Sequence, residues 1–124
     1  MVFYFFVQFL RDLNECFVRI IVFFGNFVRF LLKYSPEEFK QHISNLFTGN
    51  MSWDNYGTWH IDHIIHLTLF KKETPCHIVN SLRNLRPLES FRNISRHNFI
   101  DDDCLKMIPE FQTYIKEEYI INKN

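Results

Sequence analysis

Four consecutive residues, His60-Ile61-Asp62-His63, set a carboxylate and two imidazoles inside an apolar run. Ionisable groups in such surroundings are costly unless they are paired or hold a metal. Two chemistries suit them. Asp62 could ligate a hard divalent ion and leave a neutral histidine as base. The same groups could instead form a structural hydrogen-bonded pair at a strand end, and on these four residues alone the structural pair is slightly favoured.

Downstream residues shift the balance. Asn84-Leu85-Arg86-Pro87-Leu88 follows across one loop, then Asn93-Ile94-Ser95-Arg96. With Trp59-His60-Ile61-Asp62-His63-Ile64-Ile65, this ordered set resembles the HNH endonucleases, the ββα-metal nucleases. The likeness extends upstream through 37–43, Phe47 and 51–57, which are similar to the segment before the motif in phage-type HNH proteins. It covers about residues 35–98, and its last letter is Asn, an HNN variant.

The resemblance implies roles by position. Asp62 matches the metal-ligating carboxylate of the first strand, and Asn93 the second metal ligand, offered from the helix. His63 matches the general base that deprotonates the attacking water. Asn84 matches the middle Asn, which pins the loop between the strands and helps to orient the base. Arg96 matches a phosphate-contacting position, with Arg83, Arg86 and Arg92 as further basic candidates for nucleic acid. A carboxylate and an amide oxygen suit Mg²⁺ or Mn²⁺ better than zinc. The implied activity is metal-dependent hydrolysis of DNA phosphodiester bonds. The alternative is a catalytically inactive nuclease-fold module that binds nucleic acid or a partner protein. His66 stands where the family often has Pro, and Arg92 where an acidic residue often precedes the last Asn.

Other readings stand beside these. His60 shares the strand face of Asp62, where a packing or hydrogen-bonding role is preferred over metal ligation. His66, His77 and His97 read as surface or loop residues. A zinc site is disfavoured, because no Cys or His pair stands at structural-zinc spacing. Asn80 rivals Asn84 but lacks the Leu-Arg-Pro-Leu that follows.

The elements that must position these residues give an α+β fold: a two-stranded antiparallel hairpin and a helix, with helices before and after. The organisation reads as an apolar amphipathic helical segment at 1–34, the nuclease domain at 35–100 and a C-terminal helix in 101–124. Ser35-Pro36-Glu37-Glu38 is a capping box with Pro in the first turn. Phe39, Ile43, Leu46 and Phe47 then form a core-facing stripe, and Gly49 closes the helix. Trp59–Ile65 reads as a strand, 68–81 as a connecting loop and Asn84–Leu88 as a short edge strand, Pro87 confining it there. Residues 89–98 read as a helix with Ser90 as a possible cap, Asp101-Asp102-Asp103 as a charged turn, and about 109–121 as a final amphipathic helix.

In residues 1–34, Gln8, Arg11, Asp12, Glu15, Arg19, Asn26, Arg29 and Lys33 fall within an arc of about 100° on a helix, and nearly everything else is apolar. The favoured reading is a helix, broken or not near Gly25, packed on the domain or on a second copy as a homodimer. A membrane-surface helix is the rival, and the narrow polar stripe weighs against it. The charge-free runs are too short to span a bilayer.

The chain has 124 residues, 47% of them hydrophobic, and 14 basic side chains balance 14 acidic ones. That excludes global disorder and whole-chain polycation binding. Residues 59–98 are locally basic, with Lys71, Lys72, Arg83, Arg86, Arg92 and Arg96 against Asp62, Glu73 and Glu89, so DNA binding is expected there. Three separated cysteines without a CxxC pair point to a reducing compartment. With no cleavable signal peptide evident, an intracellular, cytoplasmic location in a phage- or virus-infected host, or for a mobile element, is expected.

Overall fold

Ser35 opens the first helix. In the computed structural model, which describes residues 29–96 and 100–120 and the side chains of these apart from 94–96, Ser35 Oγ accepts from the Glu38 amide at 3.1 Å. Glu38 Oε2 accepts from the Ser35 amide in return, which completes the reciprocal cap. Helix α1 runs Pro36–Asn45 and buries Phe39 and Ile43. It stops short of Gly49. The Leu46 amide bonds back to Ile43 and Ser44, tightening the last turn, and Leu46 is 43% exposed rather than core-facing.

Strand β1, Trp59–His63, pairs antiparallel with β2, Leu85–Glu89. Trp59 faces Glu89, Asp62 faces Arg86 and His63 faces Leu85. Among the described residues both strands are edges of the sheet, so Pro87 costs no ladder bond that a third strand would need. The connection between them holds a short helix α2, Cys76–Val79, flanked by single 3₁₀ turns at Leu67–Leu69 and Leu82–Asn84. Helix α3, Ser90–Arg96, follows β2 without a break, and the Ser90 amide bonds Thr58 at 3.0 Å. The described residues thus form a mixed α+β fold with a two-stranded antiparallel sheet and several helices.

The C-terminal part differs from the expectation of one helix over 109–121 after a charged turn. Asp101 is an N-cap, its carboxylate accepting from the Cys104 amide, and α4 runs Asp102–Phe111 with Pro109 inside it. A 3₁₀ turn, Gln112–Tyr114, then separates it from α5, Glu117–Ile120. Tertiary bonds stop a continuous helix. Ile115 bridges Phe70, and Lys71 and Lys116 amides bond Tyr114 and Leu69, which forces extended backbone at Ile115.

The described residues bury two apolar clusters. Leu32, Tyr34, Phe39, Ile43, Trp59 and Leu85 form the first. Ile65, Leu69, Phe70, Cys104, Ile108, Phe111 and Ile115 form the second. Residues 29–32 are helical, and Lys33 ends them in the left-handed region at φ 68°, turning Tyr34 into the first cluster. The rest of the expected 1–34 helix lies outside the described residues. Among the described residues no helix is long and apolar enough to cross a membrane.

Candidate metal and catalytic site

Alternation along β1 sorts its side chains. Trp59 and Ile61 join the first cluster, while His60 and Asp62 lie on the other face. There α3 brings Asn93, whose Nδ2 stands 3.4 Å from His60 Nδ1. That contact is long for a hydrogen bond. Asp62 lies two residues further along the same face, about 7 Å by strand rise.

Asp62 is 7% exposed and meets its ladder partner: Arg86 Nε donates to Asp62 Oδ2 at 2.9 Å. The same guanidinium reaches Asp101 Oδ2 at 2.9 Å through Nη2 and Asp103 Oδ2 at 2.7 Å through Nη1. Burial pulls the Arg86 pKa down, but the bonds to Asp101 and Asp62 more than offset it and the net shift is upward. Arg86 therefore remains a cation. Expected at a phosphate, it lies instead among three carboxylates and ties α4 to the hairpin.

His63 ends β1 and is partly buried. Its Nε2 lies 2.8 Å from Asn80 Oδ1. Burial lowers its pKa below the usual histidine value; the Asn80 bond and the Asp62 charge oppose that shift, and His66 adds to it. The Asp62 charge is thus felt at His63, although consecutive residues of a strand leave it on opposite faces.

Asn84 is fully buried. Its Oδ1 accepts from the Ile65 amide at 2.7 Å, and its Nδ2 donates to the carbonyls of Ile65 and Val79 at 3.2 and 2.9 Å. Its own carbonyl accepts from Ile64 at 2.8 Å. Asn84 therefore ties the exit of β1 to the end of α2. Enclosed in this way, its amide is committed to the backbone of the loop.

The Asp62 carboxylate accepts from Arg86 Nε. A carboxylate oxygen at Asp62 and an amide oxygen at Asn93 would together make an all-oxygen pair of the kind that suits Mg²⁺ or Mn²⁺. Among the described residues no three His, Cys, Asp or Glu side chains gather to hold a metal, so a site here would rest on this pair plus water and substrate oxygens.

The remaining basic candidates are dispersed. Arg83 is exposed and forms a forked pair with Glu110. Arg92 is exposed. The Arg96 side chain lies outside the described residues. Sequence reasoning named Asn80 only as a rival to Asn84 and missed its contact with His63. It also missed the clamp of Asp101 and Asp103 on Arg86; the Asp101 capping signal was present and was read as a turn.

The chain is similar to a viral protein. It is 38% identical over 71 residues to an uncharacterized protein of Acanthamoeba polyphaga mimivirus, covering 55% of this chain and 31% of that relative. The chain therefore spans about a third of that relative's length. No family model matches the chain, and no solved structure matches it.

Proposed function

We propose that the chain is a metal-dependent endonuclease of the HNH kind, a ββα-metal finger that hydrolyses DNA phosphodiester bonds. One observation carries this reading. Hairpin and helix follow in order, with Asp62 and His63 at the end of β1, Asn84 clamping the exit and Asn93 against His60 on the neighbouring helix. Asp62 and Asn93 would hold Mg²⁺ or Mn²⁺, which when bound supplies charge that stabilises the leaving 3′ oxygen. His63 accepts one proton from water as the water oxygen bonds to phosphorus and the P–O3′ bond breaks. Burial, which disfavours the imidazolium, keeps it ready to do so. Arg86 holds the Asp62 carboxylate in place, and Arg92 and Arg96 take backbone phosphates. The viral source of the similar protein agrees with a role in a virus, phage or mobile element.

The test is a supercoiled plasmid at low salt with Mg²⁺ or Mn²⁺. Cleavage should vanish with EDTA and fall about 10²- to 10⁴-fold in His63→Ala. Undiminished cleavage by that variant removes His63 as base. Failure to cut any DNA tried favours a second reading, a nuclease-fold module that binds nucleic acid or a protein. The guanidinium already seated on Asp62 and the zero net charge are what favour that reading.

A further inference from the structure

Asn80 is held from several sides. It caps the C-terminus of α2, its amide bonding the Cys76 carbonyl at 3.0 Å. Its own carbonyl accepts from the Tyr34 hydroxyl at 2.7 Å. Burial, with a smaller contribution from Cys76, pushes the Tyr34 pKa well above its ordinary value, so the phenol stays a donor. Just before Asn80, the Val79 carbonyl is bound by Asn84 Nδ2.

The side-chain amide has one tenable orientation. Its Nδ2 donates to the Cys76 carbonyl at 3.0 Å and lies 3.2 Å from Cys76 Sγ. A carbonyl oxygen only accepts, so flipping the amide would set oxygen against oxygen. Oδ1 is thereby fixed on the His63 side, 2.8 Å from Nε2. An amide oxygen cannot donate either, so Nε2 must carry the hydrogen. A neutral imidazole has one N–H, and its lone pair is then on Nδ1.

From this we infer that Asn80 is a positioning residue for His63: it holds the ring as the Nε2–H tautomer and makes Nδ1 the nitrogen that receives the proton. The inference rests on the endonuclease reading for its catalytic meaning, but not for the tautomer. The two asparagines divide the work. Asn84 fixes the backbone on either side of the loop, and Asn80 fixes the ring. A base presented in the wrong tautomer loses activity by orders of magnitude even where its geometry is intact. A neutral amide, unlike a carboxylate, fixes the ring without adding a charge that would favour the imidazolium.

The first test needs no variant. Long-range ¹H–¹⁵N correlation on the ¹⁵N-histidine-labelled full chain, without metal and at about pH 8, where free imidazole is neutral, reports the tautomer. The His63 signals are identified by their loss in His63→Gln. We expect a protonated Nε2 and an unprotonated Nδ1; a protonated Nδ1 overturns the inference. In Asn80→Leu, of similar size but without a hydrogen-bonding group, the tautomer should become mixed and kcat should fall about tenfold to a hundredfold with KM for plasmid unchanged. A tautomer unchanged in Asn80→Leu overturns the role of Asn80. Failure of the endonuclease reading looks different: the wild-type NMR signature is intact and no DNA is cut.

Discussion

A histidine that serves as base must be neutral, and His63 is pushed towards neutrality mainly by burial. On the ordinary value its activity would fall below about pH 6.5; the downward shift moves that acid limb lower. The same shift bears on stability. The folded-state pKa lies below the unfolded one, so the unfolded chain takes up the proton first as pH falls. The contribution of His63 is therefore complete above about pH 6.5 and is lost as pH drops through the folded value. Tm followed from pH 7.5 downwards should decline across that window, and His63→Gln should flatten the decline. An identical slope in the variant would show that another group governs it. Asp62 and Asn93 were legible as residue types with an order along the chain. The sequence did not reveal that Arg86 engages the Asp62 carboxylate, because that pairing depends on the hairpin register.

That register is the work of elements. Asp62 opposite Arg86 follows from β1 and β2 aligning Trp59 with Glu89, and a slip of one residue would send both side chains to the wrong face. The N-terminal carboxylates of α4 then close on the same guanidinium. Arg86→Ala would leave Asp62 and its companions without their common partner, and breaking such a largely buried pair costs about 3 kcal/mol or more. Its Tm should fall by several degrees. Arg83→Ala removes a forked but exposed pair with Glu110, and no measurable change in Tm is expected. Equal losses from both would refute the distinction between clamp and surface pair. Here too the sequence was partly legible: the capping box of α1, the two strands and α3 were read from local signals. The break at Gln112–Tyr114 was not, because it is imposed by Phe70, Leu69 and Lys71, which lie more than forty residues earlier.

For the whole molecule, the hairpin contributes Trp59 and Leu85 to one apolar cluster, and the chain enters the second at Ile65, just beyond β1. Leu32 and Tyr34 are 8% and 6% exposed in the first cluster, so the packed unit reaches back into the end of the segment 1–34. In the full chain, Leu32→Ala and Tyr34→Ala should each cost about 2 kcal/mol or more, Tyr34→Ala also losing the bond to Asn80. Denaturant midpoints of the two variants check this, and midpoints equal to that of the unaltered chain would show that these residues add nothing to the core.

By itself the sequence determined the kinds of atom available and the local elements: an acid next to an imidazole, asparagines at set intervals, a capped helix, two short strands. Helix caps, alternation and donor chemistry act over a few residues, so they can be read in one dimension. Tertiary structure alone decided which asparagine bonds the imidazole, which arginine is withdrawn from solvent and where the last helix breaks. Each of those depends on groups that become neighbours only when distant segments pack, and burial then sets both the hydrogen-bond partners and the charge that a group can carry.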